Sequence, residues 1–505
     1  MTQPPVPPTF PEQVAVRREK RERLRAAGVD PYPVGYPRTD TAAEVRERFG
    51  DLAADHVTGE RVAVAGRVIL SRISGRLCFA MLRDGSGDLQ VMVSANGVGS
   101  QRLADWKSDV DLGDHVGITG EVITSRTGEL SVLAESWTLT SKCLRPLPEK
   151  HKGLTDPEAR RRRRYVDLIV NPDSRRMLEI RTAATKAVRD DLSERGFLEV
   201  ETPMLQSVHG GANARPFVTR SNAYGAQLYL RIACELYLKR LVVGGVEKVF
   251  EINRNFRNEG ADSTHNPEFT MLEAYQTYTD YHVMADLTAG LIQNAAKVAL
   301  GSTVVTHPLE DPVEGATVAE YDIGGPWPRI TVHDAVSAAL GEQVDVATPA
   351  SRLAELAEQV GIGVDPSWGA GALLLEMYEH LVERRTVMPT FYFDFPTEVS
   401  PLTRAHREDS RLAERWDLVA FGAEVATAYS ELVDPVEQRR RLTEQSLLAA
   451  RGDPEAMSLD EDFLQALEYA MPPTGGMGMG MDRMLMLFTG RSIRDTILFP
   501  FVRPE

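Results

Sequence analysis

Cysteine is scarce in this sequence, and long apolar runs and a leader-like start are missing from it. The 505 residues include three cysteines, at positions 78, 143 and 234, and none of them has the CxxC spacing of a zinc site. Their scarcity argues against a disulfide framework and favours a reducing compartment. No run approaches the roughly eighteen apolar residues of a membrane span, and the opening MTQPPVPPTFPEQ does not resemble a signal peptide. We therefore expect a soluble, cytoplasmic protein without a membrane partner.

The sequence also lacks the positive net charge that is typical of general nucleic-acid binders. Its formal net charge is −16, but phosphate contacts depend on local patches and not on the total charge. Two local basic segments are present, RREKRERLR at 17–25 and five consecutive arginines at 160–164. A solvated charged face is the simpler interpretation of either segment. The first precedes a candidate nucleic-acid-binding domain, and this position favours a role in binding.

A small β-barrel is predicted for residues 61–148. Five short stretches of alternating apolar residues are separated by the turns SGR, DGSGD and RTGE, and residues 100–109 are predicted to form a helix between the third and fourth strands. Five strands with such a helix describe an OB-fold, which holds single-stranded nucleic acid on one sheet face. Residues 1–60 are expected to form a helical, basic extension. The stretch 144–153, rich in proline and lysine, is expected to be a linker.

Residues 149–505 are predicted to form a second, larger domain. Its strands alternate with helices but lack a regular βαβ rhythm, which favours an antiparallel sheet flanked by helices. From about 301 to 385 the pattern is helical, as in SRLAELAEQV, and predicts an inserted helical subdomain. The expected fold class of the whole chain is α+β.

The most informative stretch, residues 250–275, reads FEINRNFRNEGADSTHNPEFTMLEAY. Successive side chains of a strand point to opposite faces, so Arg257 and Glu259 are predicted to share a face in the first of two strand-like runs. The second run places four residues on one face: Phe269, Met271, Glu273 and Tyr275. Arginine suits a phosphate, an aromatic ring can stack on a base, and a buried carboxylate needs a cationic partner. Together they predict a site for a nucleotide and an amine, although a half-buried hairpin explains each residue taken singly.

This stretch resembles the second signature segment of class II aminoacyl-tRNA synthetases, and of the lysyl enzymes in particular. Two further segments agree. GFLEVETP at 196–203 is similar to the class II dimer-interface segment, and GMGMGMDRMLMLFTG at 476–490 is similar to the third, glycine-rich segment. The resemblance implies an OB-fold anticodon-binding domain, a class II catalytic domain and a homodimer. The implied reaction is activation of L-lysine with ATP to an adenylate, followed by transfer to the 3′-terminal adenosine of tRNA(Lys).

The resemblance also assigns residues to the two small substrates. Arg257 and Arg483 are the expected catalytic residues, because they would neutralise the α- and γ-phosphates of ATP. The ATP-binding set is Arg257, Glu259, His265, Phe269 and Arg483. The lysine-binding set is Gly211, Glu235, Glu273, Tyr275, Thr427, Tyr429 and Glu431. A buried carboxylate pair, Glu273 and Glu431, facing a tyrosine hydroxyl would hold the side-chain ammonium and reject neutral side chains.

Magnesium is the cofactor implied by the resemblance, with up to three ions held by carboxylates seven residues apart, Asp417 and Glu424. This sequence departs from the family at three positions. Asp417 stands where glutamate is usual, Thr427 where many lysyl enzymes have asparagine, and Cys234 where proline is usual. These departures bear on substrate affinity and ion placement, and Cys234 is expected to be a buried, inert thiol.

In the barrel, the positions similar to the family's base-reading residues are Phe79, Gln90 and Glu129. A ring to stack on a base, with an amide and a carboxylate to read base edges, is what such recognition needs. Without the resemblance, Phe79 would be assigned to the barrel core and Glu129 to a turn.

Alternatives to the lysyl enzyme remain open at this stage. FPTEVSPLTRAHRE at 395–408 and YSELVDPVEQRRRLTEQ at 429–445 also resemble the synthetase half of actinobacterial proteins fused to a membrane domain that lysylates phosphatidylglycerol. The chain would then supply lysyl-tRNA to a separate transferase, or serve as a specialised second copy. A binding paralogue without catalysis and an enzyme that modifies a protein lysine are the other two alternatives.

Overall fold

The computed structural model describes residues 12–148, 154–313, 316–450 and 457–503, and the chain divides into two units, Met1–Leu154 and Thr155–Glu505. Half of the predicted linker, residues 149–153, lies outside the described residues. Within the described residues, no helix is both long enough and apolar enough to cross a bilayer.

The first unit is built on a closed five-stranded barrel with strand order β1-β2-β3-β5-β4. Its helices are α1 (Glu12–Ala26), α2 (Ala42–Phe49), α3 (Ala95–Val98) and α4 (Ser100–Asp109), and its strands are β1 (Val57–Ser74), β2 (Leu77–Arg83), β3 (Asp88–Ser94), β4 (His115–Thr124) and β5 (Leu130–Ser141). The predicted OB-fold, with its helix between the third and fourth strands, is confirmed.

The basic segment 17–25 is helical, as expected, and several of its cations are bound within the first unit. Arg17 is buried and donates a hydrogen bond to the backbone oxygen of Cys143 at 3.0 Å. Lys20 pairs with Asp111 at 2.7 Å, and Arg23 pairs with Asp109. These contacts fix α1 against the barrel, so part of its charge is structural.

The second unit contains an eight-stranded sheet with strand order β14-β15-β16-β17-β18-β11-β10-β6. Its strands are β6 (Leu198–Glu199), β7 (Leu205–Gln206), β8 (Val218–Arg220), β9 (Gln227–Leu230), β10 (Lys248–Phe256), β11 (Glu268–Thr277), β12 (Val304–Val313), β13 (Ala316–Asp322), β14 (Arg329–Thr331), β15 (Thr390–Pro396), β16 (Leu412–Ala420), β17 (Ala423–Ser430) and β18 (Thr474–Gly480). The six central strands pair antiparallel, and parallel pairing occurs at the edges, where β6 joins β10 and β14 joins β15.

Helices of the second unit cover the sheet. They are α5 (Pro157–Arg162), α6 (Arg164–Val170), α7 (Pro172–Glu194), α8 (Glu235–Val243), α9 (Tyr281–Leu300), α10 (Val332–Leu340), α11 (Ala350–Gln359), α12 (Ala370–Leu381), α13 (Pro435–Ala450), α14 (Glu461–Glu468), α15 (Met481–Thr489) and α16 (Ile493–Thr496), with 3₁₀ turns at Glu383–Arg385 and Thr397–Val399. The main core joins side chains of α7, α9 and α15 to one face of the sheet.

Two local predictions differ from the structure. Strand β10 ends at Phe256, so Arg257 and Glu259 lie in the loop that follows, because the glycine-containing turn begins there. The segment 301–385 is not helical throughout. It begins with the hairpin β12–β13, whose β-branched residues favour strands, and its helices start at Val332.

The arginine run 160–164 is largely engaged in ion pairs. Arg160 and Arg164 both bind the buried Asp167, at 2.8 and 2.7 Å, and Arg161 binds Asp495 at 3.2 Å. The run therefore joins α5 and α6 to α16, which is a structural use of its charge.

Candidate active site

The site lies on the sheet face opposite the main core. Leu272 and Ala274 of β11 are fully buried in that core, as are Met477 and Met479 of β18. Residues of the other parity point the opposite way and line two adjoining cavities. The shared face predicted for β11 is thereby confirmed: Phe269 and Met271 line the first cavity, and Met271, Glu273 and Tyr275 line the second.

The first cavity is lined by all the residues that the sequence assigned to ATP: Arg257, Glu259, His265, Phe269 and Arg483. The guanidinium carbon of Arg257 lies 5.2 Å from the centre of the Phe269 ring, within cation–π range. The Nε atom of Arg257 is buried and has no hydrogen-bond partner among the described residues. A buried donor without a partner is costly, so this atom is available to an anionic ligand.

A residue that the sequence analysis did not single out, Asp482, positions this cavity. It accepts a hydrogen bond from the backbone N–H of Thr270 at 2.7 Å and pairs with Arg181 of α7. These contacts fix the start of α15 against β11. The next residue, Arg483, donates to the backbone oxygen of Glu424 at 2.8 Å and so faces the cavity.

The second cavity has a volume of about 400 Å³, within the range of roughly 300–1,000 Å³ typical of small-molecule sites. It is lined by all seven residues assigned to lysine: Gly211, Glu235, Glu273, Tyr275, Thr427, Tyr429 and Glu431. Gly211 has a φ of +88°, in the left-handed region that favours glycine. The carboxylates make this cavity acidic.

Two of the carboxylates are poised to receive a cation. Glu273 accepts hydrogen bonds from the backbone N–H of Cys234 at 3.2 Å and from the Tyr275 hydroxyl at 3.4 Å. Glu431 Oε1 has no hydrogen-bond partner among the described residues. Burial raises the pKa of Glu273 to about 7 and that of Glu431 to about 8, and neighbouring carboxylates add to both shifts. A bound ammonium would lower both pKa values.

Lys239, which no sequence motif indicated, lies behind these carboxylates and not in the cavity lining. Its ammonium is 2.6 Å from Glu235 Oε1 and 2.5 Å from Glu431 Oε2, and the side chain is fully buried. Burial alone would lower the pKa of Lys239, but the two carboxylates outweigh this effect and raise it. The spacing of four between Glu235 and Lys239 was the only signal in the sequence.

Glycine is required in the floor of the second cavity. A Cβ atom at Gly476 would lie 2.0 Å from Glu431 Oε1 and 2.5 Å from the Tyr275 ring. A Cβ atom at Gly478 would lie 2.4 Å from the terminal methyl of Met271. The glycine-rich strand therefore makes room for a ligand against the carboxylates.

The two cavities meet at four residues that line both of them: Arg257, Met271, Glu424 and Gly478. Burial lowers the pKa of Arg257, and Glu259 and Glu424 oppose that shift. Arg257 thus lies between a cavity that suits a nucleotide and a cavity that suits an amine. This geometry suits a reaction that joins two ligands.

Comparison with known proteins agrees with this geometry. The model of the family described as tRNA synthetases class II (D, K and N) matches residues 156–503, and the model of the OB-fold nucleic acid binding domain matches residues 62–140. The chain belongs to the class II tRNA synthetases. Its predicted class II fold with an OB-fold barrel is confirmed.

Two kinds of relative of this synthetase are similar along nearly the whole chain. A lysine–tRNA ligase of Kineococcus radiotolerans is 57% identical, and the match covers 98% of both proteins. The lysylphosphatidylglycerol biosynthesis bifunctional protein LysX of Mycobacterium sp. (strain JLS) is 58% identical over 99% of this chain and 44% of its own length. The LysX protein of Nocardia farcinica is 56% identical over 99% of this chain and 43% of its own length. The chain thus spans less than half of these bifunctional relatives.

Two of the departures from the lysyl pattern lie opposite each other in the synthetase sheet. Asp417 of β16 and Thr427 of β17 are cross-strand partners, and the Thr427 hydroxyl donates to Asp417 Oδ1 at 2.7 Å. Arg415 also donates to both oxygens of Asp417, at 3.1 and 2.8 Å. Glu424 lines both cavities, whereas Asp417 lines neither. Of the predicted metal pair, Glu424 fits an ion at the junction, and Asp417 would first have to leave Arg415.

The third departure, Cys234, is fully buried at the start of α8. Asn253 donates to its sulfur at 3.1 Å. Burial, together with the nearby Glu273 and Glu251, raises the pKa of the thiol well above its usual value. This environment agrees with the expectation of an inert cysteine.

The three predicted anticodon residues lie together on the outside of the barrel. Phe79 is half-buried on the outer face of β2, and Gln90 lies on the same face of β3, where its amide donates to Ser131 at 2.8 Å. Glu129 is exposed just before β5 and lies 3.8 Å from Arg46 of α2. Phe79 is therefore not part of the barrel core, and its ring is accessible to a base.

Proposed function

We propose that this chain is a lysine–tRNA ligase, which activates L-lysine with ATP and transfers it to the 3′-terminal adenosine of tRNA(Lys) in the cytoplasm. The observation that carries the proposal is the meeting of the two cavities. One has the arginine and aromatic groups that suit a nucleotide, the other has three buried carboxylates that suit an amine, and Arg257 lies at their junction.

In the first step, the lysine carboxylate attacks the α-phosphate of ATP, and pyrophosphate leaves. Both reactants are anionic, so catalysis consists mainly of holding them in line and neutralising charge. Arg257 is placed for this task, because its half-buried side chain lines both cavities and its buried Nε has no hydrogen-bond partner in the part of the chain that the structure describes. No nucleophile from the protein is required.

The nucleotide lies in the first cavity. Phe269 stacks on the adenine base, Arg483 binds the γ-phosphate, and Glu259 and His265 flank the nucleotide. The position of Arg483 at the start of α15 supports this assignment, because Asp482 anchors that turn to the sheet. His265 is exposed and contacts Asp262 at 3.1 Å, so its orientation is already restricted.

Lysine lies in the second cavity. Its side-chain ammonium binds Glu273 and Glu431 beside the Tyr275 hydroxyl, and its α-ammonium binds Glu235 and the backbone of Gly211. Thr427 and Tyr429 complete the wall. Neutral side chains are rejected, because they would leave the two carboxylates buried without a cation.

Magnesium is proposed as the cofactor, and it would neutralise the triphosphate when bound. Glu424 is the carboxylate best placed to hold it, since it faces both cavities. The role of Asp417 stays a prediction, because its oxygens are engaged by Arg415 and Thr427.

The proposal extends to tRNA and to a second copy of the chain. Phe79, Gln90 and Glu129 read the anticodon on the outer face of the barrel. A homodimer through the segment 196–203 is supported by exposed apolar side chains in and near it, at Leu198 (56% exposed), Met204 (47%) and Leu205 (52%). A monodisperse monomer in light scattering would refute the dimer.

The test is amino-acid-dependent exchange between ATP and pyrophosphate, run with each of the twenty amino acids and followed by charging of tRNA(Lys). Lysine alone should support exchange. Glu431→Gln should abolish it, whereas Glu461→Gln, an exposed carboxylate on α14 that pairs with Arg439, should not. Folded wild-type protein that shows no exchange with any amino acid would refute the ligase and favour a binding paralogue.

A second candidate is a synthetase that serves lipid lysylation. The observation in its favour is the similarity of nearly the whole chain to the bifunctional LysX proteins. The test adds a separate transferase domain and phosphatidylglycerol vesicles to the charging reaction. Transfer of labelled lysine to lipid, beyond that obtained with an unrelated lysine–tRNA ligase, would support this role, and equal transfer would refute it.

A further inference from the structure

Lys239 is a buried cation that touches two of the three carboxylates of the amine cavity. It projects from the middle of α8, one helical turn after Glu235, and contacts Glu235 Oε1 at 2.6 Å and Glu431 Oε2 at 2.5 Å. Glu235 lies on the same helix as Lys239, whereas Glu431 follows β17 and is 192 positions after Lys239 in the sequence. The ammonium therefore connects α8 to the end of a central strand of the sheet, behind the cavity.

The charges in this region have a simple balance. Glu235, Glu273 and Glu431 contribute three negative charges when ionised, and Lys239 contributes one positive charge behind them. Tyr275, Tyr429 and Cys234 also face the carboxylates and are neutral, because burial raises their pKa values. Glu251 behind Glu273 is paired with Arg231 at 2.8 Å. Two arginines and two glutamates make up the other charged lining of the cavity and offset each other: Arg257, Arg415, Glu379 and Glu424. The remaining charge is minus two, which matches a ligand with two ammonium groups.

We propose that Lys239 is a positioning residue that orients Glu235 and Glu431 and offsets part of the repulsion between the buried carboxylates, and thereby sets the cavity to accept a ligand that carries two ammonium groups. The inference rests on the proposed function, since such a ligand is free lysine. It goes further, because it assigns amine selectivity to a side chain that does not contact the ligand.

The physical reason is the mutual repulsion of three buried carboxylates. Lys239 offsets part of this repulsion, so without it the cavity would hold a proton up to a higher pH than in the wild type. Burial already raises the pKa of Glu431 to about 8 while Lys239 opposes the shift. Loss of the lysine would raise it further, so the ligand ammonium would have to displace a proton in order to bind.

The alternative is that Lys239 only stabilises α8 through its ion pair with Glu235, as oppositely charged side chains four residues apart on a helix commonly do. That role would change stability without changing how lysine binding depends on pH. Arg240, the next residue of the helix, provides a matched control. It pairs with Asp460 at 2.9 Å on the side away from the cavity, so Arg240→Met removes a cation from the same helix.

The experiment measures KM for lysine and for ATP in the exchange reaction between pH 6.5 and 9, for wild type, Lys239→Met, Lys239→Arg and Arg240→Met. With Lys239→Met we expect KM for lysine to rise by about 30-fold or more at neutral pH, with KM for ATP unchanged. The pH below which lysine binding weakens should move up by about one unit or more. Lys239→Arg should keep the wild-type pH profile, and Arg240→Met should match wild type in both properties.

The inference is overturned if Lys239→Met retains the wild-type pH profile, or if Arg240→Met shifts it equally. Should Lys239→Met fail to fold, the double variant Glu235→Gln with Lys239→Met removes both charges of the buried ion pair and is compared with Glu235→Gln alone. If the pH below which lysine binding weakens is higher in the double variant than in Glu235→Gln, the inference is supported. Identical pH profiles of the two variants refute it. Wild type without lysine-dependent exchange would instead refute the proposed function, which separates the two failures.

Discussion

Substitution of Gly476 by alanine should block the lysine cavity and spare the nucleotide cavity. The added Cβ would lie 2.0 Å from Glu431 Oε1, and 2.5 and 2.7 Å from two carbons of the Tyr275 ring. Real Cβ contacts are not shorter than 3.0 Å, so the carboxylate would have to move by about 1 Å or more. Glu431 cannot retreat freely, because Lys239 lies against its other oxygen.

The size of the effect follows from this confinement. Overpacking a buried site costs about 1–3 kcal/mol, and the upper half of that range applies where both neighbours are held. A cost of ~2–3 kcal/mol that falls on the lysine complex corresponds to a roughly 30- to 150-fold increase in KM for lysine. Gly476 does not line the nucleotide cavity, so KM for ATP should remain unchanged.

Two other glycines serve as graded controls in the same exchange assay. Gly478→Ala places its Cβ 2.4 Å from the end of the Met271 side chain, which is flexible and can turn away. We expect its KM for lysine to rise by about threefold at most. Gly363→Ala meets nothing within 4 Å and should behave as wild type. Equal KM values for lysine in Gly476→Ala and Gly478→Ala would refute the argument from confinement.

Four further predictions concern lysine affinity, the pH dependence of stability, tRNA charging and the barrel unit. KM for lysine should rise roughly tenfold from pH 8 to pH 7, because Glu431 and Glu273 take up protons there, and a flat profile would contradict this. In the folded protein the pKa values of Glu273 and Glu431 lie above the usual 4.5 of a glutamate. The free energy of unfolding should therefore fall as pH rises from about 5 to 8. Lysine should raise the melting temperature more at pH 8.5 than at pH 6. Phe79→Ala should weaken charging of tRNA(Lys), by ~1–3 kcal/mol if one base stacks on the ring, and leave exchange unchanged; equal charging would favour modification of a protein lysine. Lys142→Met should destabilise the barrel unit by about 3–5 kcal/mol, because the buried ammonium contacts Asp111 and Asp114 at 2.6 and 2.7 Å. Hydrogen exchange of the barrel amides measures this loss, and protection of these amides equal to the wild type would refute the prediction.

Strand alternation could be predicted well from the sequence, because it depends on neighbours along the chain. The shared face of β11 and the five-stranded barrel required only the period of two. The end of β10 was harder to place. Arg257 continues the alternating pattern of the strand, but β10 ends at Phe256 and Arg257 lies in the loop that follows. The backbone N–H of Arg257 donates to the backbone oxygen of Pro267, on the other side of that loop.

Contacts between distant residues could not be predicted in this way. In the sequence, Lys239 is an unremarked basic residue in ELYLKR, and nothing local indicates that Glu431 will lie 2.5 Å from it. The same holds for Asp417 and Thr427, which the sequence presents as two separate departures from the lysyl pattern. Only the register of β16 against β17 shows that they form one hydrogen-bonded pair.

The position of Arg257 follows from the charges of the proposed reaction. The lysine carboxylate and the α-phosphate are both negative, and two unit charges 4 Å apart repel by about 4 kcal/mol at the effective dielectric of a protein surface. A cation confined to either cavity would favour binding of one reactant only. At the junction, one guanidinium with several donors can attract both at once, and the attraction grows as negative charge develops between them. The other charges of the site are divided in the same way: Glu235, Glu273 and Glu431 line the amine cavity alone, and Arg483 lines the nucleotide cavity alone, where it adds a second cation next to Glu424 at the junction.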